Sequence, residues 1–272
     1  DQAVETVFEE RRFGSAGDRV VIEELLEGEE ASFMVLADGE RVLPLATAKD
    51  YKRAGEDDTG PNTGGMGSHS PSGVVSGEMA ARVLDEIVRP TVEAMAREDR
   101  PFTGVLYTGL MLTAAGPRVL EYNVRFGDPE AQVLLLRLED DLVPILTAGA
   151  RGAFGARRLH FKREAAACVV LASPGYPGSA RTGDPIGGLD SAALLPGVQI
   201  FHAGTAQRDG EIVSAGGRVL NVCATGAQLV DALKRAYQAA ALVDWPGKVY
   251  RKDIGRRVLT HAASGSQTVT GG

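Results

Sequence analysis

Residues 121–130 read Glu121-Tyr-Asn-Val-Arg-Phe-Gly-Asp-Pro-Glu130. A strand pattern ends at Asn123, and Asp128-Pro129 is typical of a helix start, with an N-cap residue followed by proline at the first helical position. Glu121 and Asn123 are two residues apart in a strand, so their side chains leave the same face. The segment therefore predicts a strand end and a helix start with a polar cluster between them.

This polar cluster has the composition of a site for phosphoryl chemistry. Glu121 and Asn123 offer a carboxylate and an amide oxygen, which suit Mg²⁺. Arg125 can neutralise and orient a phosphoryl group. The alternatives are two solvated polar residues at a strand end and, for Asp128 and Glu130, capping and compensation of the helix dipole. Four such residues within eight positions favour the functional interpretation.

Two hairpins are expected around this segment. Arg118–Asn123 pairs with Gly104–Leu112, and upstream Ser32–Leu36 pairs with Arg41–Ala46 across Asp38-Gly39, a type I′ turn signal. Helical and strand periodicities predict further elements. These are a strand at 19–26, a helix at 76–98 that Pro90 kinks or splits, helices at 129–138 and 140–150, strands at 165–172, 198–202 and 218–224, and a helix at 226–242 with a Thr225/Gln228 capping box.

Three further stretches can carry binding chemistry. In the loop Thr59-Gly-Pro-Asn-Thr-Gly-Gly-Met-Gly67, successive glycines allow backbone N–H groups to surround an anion, although the Walker and dinucleotide spacings are absent. The acidic run from Glu23 to Glu30 is either a solvated edge or a linker strand that binds adenine and ribose. Lys49 is either a surface lysine or a contact for a polyphosphate.

Composition limits the class of protein. The 272 residues are 44% hydrophobic and 24% charged, as in a globular chain, and the formal net charge of −7 disfavours a general nucleic-acid surface. No apolar run approaches the roughly 18 residues of a membrane helix, and the first thirty residues are too acidic for a signal peptide. Cys168 and Cys223 lie in apolar runs and are expected to be buried free thiols, which suits a reducing cytoplasm.

A break in the pattern at Gly152–Arg163 predicts two units without a common sheet. Residues 1–160 form the first unit and residues 161–261 the second, and the small polar residues 262–272 are expected to be disordered. At the other end, residues 4–12 have the pattern of the last turns of a helix without a visible start.

Together these segments resemble a known family. Residues 21–33 look like the nucleotide hinge of ATP-grasp ligases. Residues 57–67 and 121–130 are similar to the phosphoribosylamine–glycine ligases, also called glycinamide ribonucleotide synthetases. Further matches at 175–178, 202–205, 216–220 and 251–255 extend the resemblance over roughly residues 1–260. The implied fold is α+β, a partial ATP-grasp antiparallel sheet with helices followed by a small α/β C-terminal domain.

The resemblance implies an ATP-dependent carbon–nitrogen ligase of de novo purine biosynthesis. Its substrates are glycine and 5-phosphoribosylamine, and its cofactors are ATP and Mg²⁺, with Mn²⁺ as an alternative metal. No nucleic-acid or membrane partner is implied. The residue roles carried over are adenine contacts by Glu23, Glu24 and Leu26, ribose binding by Glu30, a triphosphate contact by Lys49, metal binding by Glu121 and Asn123, catalysis by Arg125 and Asp128, and substrate binding by Thr63, Gly64, Gly65 and Gly67.

The resemblance also implies a missing portion. The family has an N-terminal substrate domain, and nothing similar precedes Asp1, so the chain is expected to be a C-terminal portion whose partner is the absent N-terminal half. Such a portion is expected to bind Mg²⁺–ATP weakly, to form no glycinamide ribonucleotide and to self-associate. The alternatives are another ATP-grasp carboxylate–amine ligase and a non-catalytic remnant of the fold.

Overall fold

The structure is a computed structural model that describes the backbone of residues 2–265 and the side chains of residues 2–260. The strands are β1 (Glu29–Asp38), β2 (Val42–Pro44), β3 (Lys49–Asp50), β4 (Arg53–Gly55), β5 (Thr59–Asn62), β6 (Gly67–Ser70), β7 (Thr103–Thr113), β8 (Gly116–Asn123), β9 (Ala165–Ala172), β10 (Val198–His202), β11 (Thr205–Arg208), β12 (Glu211–Ser214) and β13 (Arg218–Gly226). The helices are α1 (Gln2–Val4), α2 (Gly77–Val83), α3 (Arg89–Arg97), α4 (Glu130–Arg137), α5 (Leu142–Ala150), α6 (Leu189–Ala193), α7 (Leu229–Leu242) and α8 (Arg256–Gly265). The strands pair antiparallel throughout the described chain, which confirms the predicted α+β class.

The first sheet has the strand order β2-β1-β7-β8 and contains both predicted hairpins. Strand β1 is buried on both faces because alternate residues pack against different helices. Phe33 and Val35 pack against Val88 and neighbouring residues of the α2–α3 segment. Met34 and Leu36 pack in the opposite cluster, which includes residues of α4 and α5. A continuous apolar run in β1 is therefore required by two-sided packing.

The first hairpin forms with a turn type that differs from the prediction. Within this turn, Gly39 has a positive φ of 101°, and its neighbours Asp38 and Glu40 do not. A type I′ turn needs positive φ at both central residues. The Asp38 carboxylate accepts hydrogen bonds from the backbone N–H groups of Glu40, Arg41 and Phe154. The type I′ prediction is wrong because these side-chain contacts hold a different turn.

Helix α2 continues into α3, so Pro90 does not split the helix in two, which was one of the two outcomes expected there. The linking residues Leu84–Val88 form a π-helical turn, in which the Arg89 N–H donates to the Leu84 carbonyl. Pro90 then lies in the first turn of α3, where its missing N–H group is tolerated. Ser76 caps α2 by accepting a hydrogen bond from the Met79 N–H.

The second sheet crosses the predicted boundary at residues 152–163. Its strand order is β10-β13-β9-β6-β3, and β6 pairs with β9 from Gly67↔Val169 to Ser70↔Ala166. The expectation of separate sheets is therefore wrong, because buried β9 needs a partner on each edge and takes one from the earlier part of the chain. A division of the chain near residue 160 remains a prediction about domains.

Some other local elements differ from the predictions or were not predicted. Residues 19–26 form no strand within the described chain, and Val21 and Ile22 are exposed. The capping box of α7 forms between Gln228 and Asp231, three residues later than expected. The hairpin of β11 and β12 was not predicted, although Asp209 and Gly210 both have positive φ and carry the Asp-Gly signal.

The C-terminal residues, the membrane-crossing criterion and the cysteines complete the comparison with the sequence. Helix α8 includes residues 262–265 of the predicted disordered tail, and residues 266–272 lie outside the described residues. Within the described chain, no helix combines the length and the apolar character that crossing a membrane would require. Cys168 and Cys223 are both free and buried, as predicted.

Candidate functional site

A cavity of about 380 Å³ opens at the end of β8, beside Tyr107 of β7, and faces the β3–β5 region. The structure brings seven of the predicted residues into its wall: Glu30, Thr63, Gly64, Glu121, Asn123, Arg125 and Asp128. The sequence predicts no individual binding or catalytic role for the other seven lining residues: Asp50, Lys52, Asn62, Tyr107, Leu120, Gly127 and Glu130. Glu130 lies within the quoted motif, and Lys52 follows the first hairpin by only a few residues. Both could have been considered as site residues because they lie close in sequence to residues that were predicted.

Glu121 and Asn123 project from β8 to the same side, as their spacing predicts. The Asn123 Nδ2 atom donates a hydrogen bond of 3.2 Å to Glu121 Oε1. The Lys52 Nζ atom lies 3.8 Å from Glu121 Oε1 and 3.7 Å from Glu30 Oε2. Lys52 is thus the cation that faces both of these carboxylates.

The donor set fits a hydrated Mg²⁺ better than a fully protein-coordinated metal. Among the described residues no group of three or more His, Cys, Asp and Glu side chains is arranged to hold a metal ion. Mg²⁺ usually takes one or two carboxylates and keeps several waters or phosphate oxygens. Glu121 satisfies that requirement, and Asn123 joins it if the amide turns its oxygen toward the ion.

The cavity carries an excess of negative charge. Arg125 lies at the mouth, exposed, with its Nη1 atom donating to the Phe126 carbonyl at 2.9 Å. The carboxylates of the wall outnumber the cations Lys52 and Arg125; they are Glu30, Asp50, Glu121, Asp128 and Glu130. A polyphosphate can enter such a site only with cations that offset its charge.

An acidic pair, half-buried Asp50 and buried Glu130, forms the floor of the cavity. Glu130 is 2% exposed, and its Oε1 atom accepts a hydrogen bond of 3.0 Å from Ser32 Oγ. Burial, together with the charge of Glu130, raises the pKa of Asp50 well above its ordinary value. Burial and the same glutamate also raise the pKa of Tyr107. Asp50 Oδ1 is shielded from solvent and has no hydrogen-bond partner.

Asp128 does not cap helix α4, so that part of the prediction is wrong. Pro129 occupies the N-cap position, without a side-chain cap. The Asp128 Oδ1 atom instead accepts hydrogen bonds from Gln132 Nε2 at 2.8 Å and Asn221 Nδ2 at 3.3 Å. Its Oδ2 atom accepts one from Arg218 Nη2 at 3.1 Å. Distant residues of β13 therefore decide where this carboxylate points.

The glycine loop is not an open anion cradle. The N–H group of Gly64 donates to Tyr176 Oη, that of Gly65 to Thr63 Oγ1, and that of Met66 to the Tyr51 carbonyl. With these donors occupied, the glycines serve close packing. A Cβ atom on Gly65 would lie 2.4 Å from Pro129 Cδ, and one on Gly67 would lie 2.7 Å from the Cys168 carbonyl oxygen.

The predicted adenine-binding residues line a separate groove. Glu23, Glu24 and Leu26 enclose about 340 Å³ together with Arg118, Val119 and Leu120 of β8. Leu120 lines both this groove and the polar cavity, so the two spaces adjoin. The unpaired backbone beside the groove leaves hydrogen-bonding groups available to a planar heterocycle.

Lys49 lies apart from the polar cavity. It is 7% exposed, forms an ion pair with Glu29, and lines a neighbouring cavity of about 240 Å³. Lys52 lines both cavities.

Comparison with protein families gives two matches. Residues 1–131 match the family described as phosphoribosylglycinamide synthetase, ATP-grasp (A) domain, and residues 166–257 match the corresponding C domain. The first match ends just after the polar motif of residues 121–130, and the second begins within β9.

Individual relatives agree with the family matches. The chain is 49% identical over 257 residues to a phosphoribosylamine–glycine ligase of Brucella melitensis, covering 94% of this chain and 60% of that protein. It is 51% identical to the ligase of Vigna unguiculata, covering 90% of this chain and 80% of that protein. A crystal structure of the Thermotoga maritima ligase superposes with a TM-score of 0.77 at 38% identity, covering 85% of this chain and 57% of that one. The chain therefore belongs to the phosphoribosylglycinamide synthetase family, the phosphoribosylamine–glycine ligases.

Proposed function

We propose that this chain carries the nucleotide and metal site of an ATP-dependent ligase that joins glycine to 5-phosphoribosylamine in purine biosynthesis. In this reaction the γ-phosphoryl group of ATP passes to the glycine carboxylate. The amine of 5-phosphoribosylamine then attacks the acyl carbon of glycyl phosphate and expels phosphate. The products are glycinamide ribonucleotide, ADP and phosphate. The observation that carries the proposal is the polar cavity beside the groove of residues 23–26.

The positions of the side chains support a division of roles. The groove at Glu23, Glu24 and Leu26 is suited to adenine, and Glu30 lies on the side where ribose hydroxyls would follow. Lys52, which faces Glu30 and Glu121, is better placed than Lys49 to contact the triphosphate. Phosphoryl transfer depends on positioning and charge neutralisation, so no nucleophilic side chain is required.

A Mg²⁺ ion held by Glu121 and Asn123, together with Arg125, would offset the negative charge of the triphosphate. When bound, Mg²⁺ supplies positive charge at the triphosphate, and Glu121 and Asn123 would hold it. Arg125, exposed at the mouth of the cavity, can orient the transferring phosphoryl oxygens. We assign the amino-acid substrate to the space beside Asp128, Thr63 and Gly64, next to the acidic floor.

The metal assignment predicts a specific loss in the Glu121→Gln variant. The variant is expected to lose Mg²⁺-dependent ATP binding by at least about tenfold, because one carboxylate is a main protein ligand of a hydrated Mg²⁺. The exposed strand-end side chain supports no core, so the thermal unfolding temperature is expected to stay unchanged. Calorimetric titration with ATP in the presence and absence of Mg²⁺ measures the effect.

A matched control for this experiment is Glu211→Gln, which removes the same charge from the exposed turn end of β12. This control is expected to bind Mg²⁺–ATP like the original chain. Equal Mg²⁺–ATP affinity of the Glu121→Gln variant and the original chain would remove Glu121 from the metal site.

The amino-acid substrate can be tested through the acyl phosphate. With ATP, Mg²⁺ and hydroxylamine, glycine is expected to yield glycine hydroxamate and ADP in equal amounts. Hydroxamate formation from another carboxylate in preference to glycine would favour a different ATP-grasp ligase. Glycine-dependent tightening of ADP or ATP binding gives a second readout if turnover is slow.

Cytoplasmic localisation and an interaction with an N-terminal substrate domain complete the proposal. The two buried free thiols suit a reducing compartment. The relatives from Brucella and Thermotoga are longer than this chain, which covers 60% and 57% of them. Adding a relative's N-terminal domain and measuring binding to this chain tests the interaction.

A further inference from the structure

Arg218 joins the two loops that form the walls of the polar cavity. Its Nη1 atom lies 2.7 Å from the Gly64 carbonyl oxygen and 2.6 Å from the Asp128 carbonyl oxygen, with the Gly65 carbonyl at 3.4 Å. Its Nη2 atom donates to Asp128 Oδ2 at 3.1 Å. One guanidinium on β13 thus bonds to the glycine loop and to the segment that precedes α4.

The contact depends on a close approach that glycine permits. A Cβ atom on Gly64 would lie 3.0 Å from the Arg218 Cζ atom, so a larger residue would press on the guanidinium. Tyr176 adds a second contact from the C-terminal part, because its Oη atom accepts the Gly64 N–H at 2.9 Å. The Gly64 peptide groups are therefore held on both the N–H side and the carbonyl side.

We propose that Arg218 is a positioning residue, which acts through Gly64, Gly65 and Asp128 to fix the part of the cavity that receives the amino-acid substrate. The substrate side of this statement rests on the proposed ligase function. Arg218 is absent from the cavity lining, so it acts through the residues it holds. A planar guanidinium suits this role because it can bond to several oxygens in fixed directions.

The geometry separates this role from nucleotide binding. The groove of residues 23–26 and the pair Glu121 and Asn123 make no hydrogen bond with Arg218 in the described structure. Loss of Arg218 is therefore expected to loosen the glycine loop and Asp128 while leaving the groove and the metal pair in place. The two halves of the site are expected to respond differently.

The first test measures backbone exchange without any ligand. In Arg218→Met, amide hydrogen exchange at Gly64 and Gly65 is expected to accelerate by about tenfold or more, since several charge-assisted hydrogen bonds are lost. Arg218→Lys keeps the charge and is expected to fall between this variant and the original chain. Tyr176→Phe removes the other contact and is expected to accelerate exchange at Gly64. Exchange within α7 and β9 reports whether the fold is retained.

The control variant is Arg208→Met, which removes an exposed arginine of the β11–β12 hairpin. This variant is expected to leave exchange at Gly64 unchanged. Unchanged exchange at Gly64 and Gly65 in Arg218→Met would overturn the positioning role, whether or not the chain is a ligase.

The second test measures glycine and Mg²⁺–ATP separately. Arg218→Met is expected to raise the glycine dissociation constant or KM by about tenfold while changing Mg²⁺–ATP affinity less than twofold, and Arg218→Lys is expected to restore part of the glycine affinity. Equal losses for both ligands, or no loss of glycine affinity, would overturn the substrate role. Absence of glycine binding in the original chain would count against the proposed function, while the exchange experiment would still decide whether Arg218 positions the loop.

Discussion

Asp50 lies in the candidate functional site in an environment that lowers the stability of the folded chain. The carboxyl lies beside buried Glu130, and Lys52 and Arg218 offset only part of the unfavourable environment, so the pKa of Asp50 is raised. Its Oδ1 atom has no hydrogen-bond partner. An unsatisfied acid next to a second acid costs folding free energy, and such groups are concentrated at functional sites.

The Asp50→Asn variant is expected to be more stable than the original chain at pH 8, by on the order of 1 kcal/mol. The pKa of Asp50 is higher in the folded than in the unfolded state. At pH values above about 4, the folded state therefore holds more bound protons at this group than the unfolded state does. Stability from this group therefore falls with rising pH. Asparagine does not ionise, so the advantage of the variant is expected to shrink toward pH 4.

Urea unfolding at pH 4.5 and pH 8 measures this difference. Asp209→Asn, in the exposed turn between β11 and β12, is the matched control and is expected to show little pH-dependent change. An advantage of Asp50→Asn that grows toward acidic pH would contradict the raised pKa.

The sequence predicts the polar motif but not the partners that orient its side chains. Glu121 and Asn123 share a face because of strand geometry, which is local. Asp128 is bound by Arg218 and Asn221, about ninety positions away, and no local pattern reveals that contact. Lys49 and Lys52 both follow the first hairpin within a few residues, and only the tertiary structure decides which one faces the acids.

Residues 251–256, which follow α7, hold the turn that links β4 and β5. Arg251 donates two hydrogen bonds to the Asp253 carboxylate and one to Asp58 Oδ1. Arg256 contacts Glu56 and Asp57 in the same turn. The glycine-rich loop is thus held by the C-terminal part at this turn and again at Gly64.

These two arginines make a matched pair for mutation. The Arg251 side chain is 2% exposed and that of Arg256 is 48% exposed. Arg251→Met is expected to cost about 3–5 kcal/mol, because it leaves the buried Asp253 carboxylate without its cation. Arg256→Met is expected to cost about 0–1 kcal/mol, since its ion pairs are exposed to solvent.

Chemical unfolding of both variants measures the two costs. Similar small costs for the two variants would show that Asp253 finds another partner or becomes hydrated. In that case the Arg251 cluster would not be what holds the turn.

Elements formed by local contacts were predictable, and elements that need a distant partner were not. The hairpins of β1–β2 and β7–β8 follow from alternation and turn residues. The apolar stretch Val20–Ile22 has strand composition, yet no strand of the described part of the chain pairs with it. The helix continues past Pro90 because the proline lies in the first turn of α3, after a π-helical turn that adjusts the hydrogen bonding, a detail that composition does not encode.

At the scale of the whole molecule, one core joins the two predicted units. Met34 and Leu36 of β1 pack in the same cluster as Cys168 and Val170 of β9. The β6–β9 pairing adds a backbone link between the same regions. The glycine and charge pattern at residues 152–163 indicated a boundary because it marks a long surface connection, and such a pattern carries no information on how strands pair.

The shared core predicts that the chain unfolds in one cooperative transition. Trp245, the single tryptophan, is buried in a cluster of the C-terminal part and reports on that part alone. Met34→Ala, on β1, creates a cavity in the shared core and is expected to cost about 2–5 kcal/mol. Because the two parts unfold together, the urea midpoint from Trp245 fluorescence is expected to fall by the same amount as the midpoint from far-ultraviolet circular dichroism. The exposed Val143→Ala on α5 is expected to shift neither midpoint appreciably. A Trp245 midpoint that stays in place while the circular dichroism curve splits would show that the two parts unfold independently, despite the strands and side chains they share.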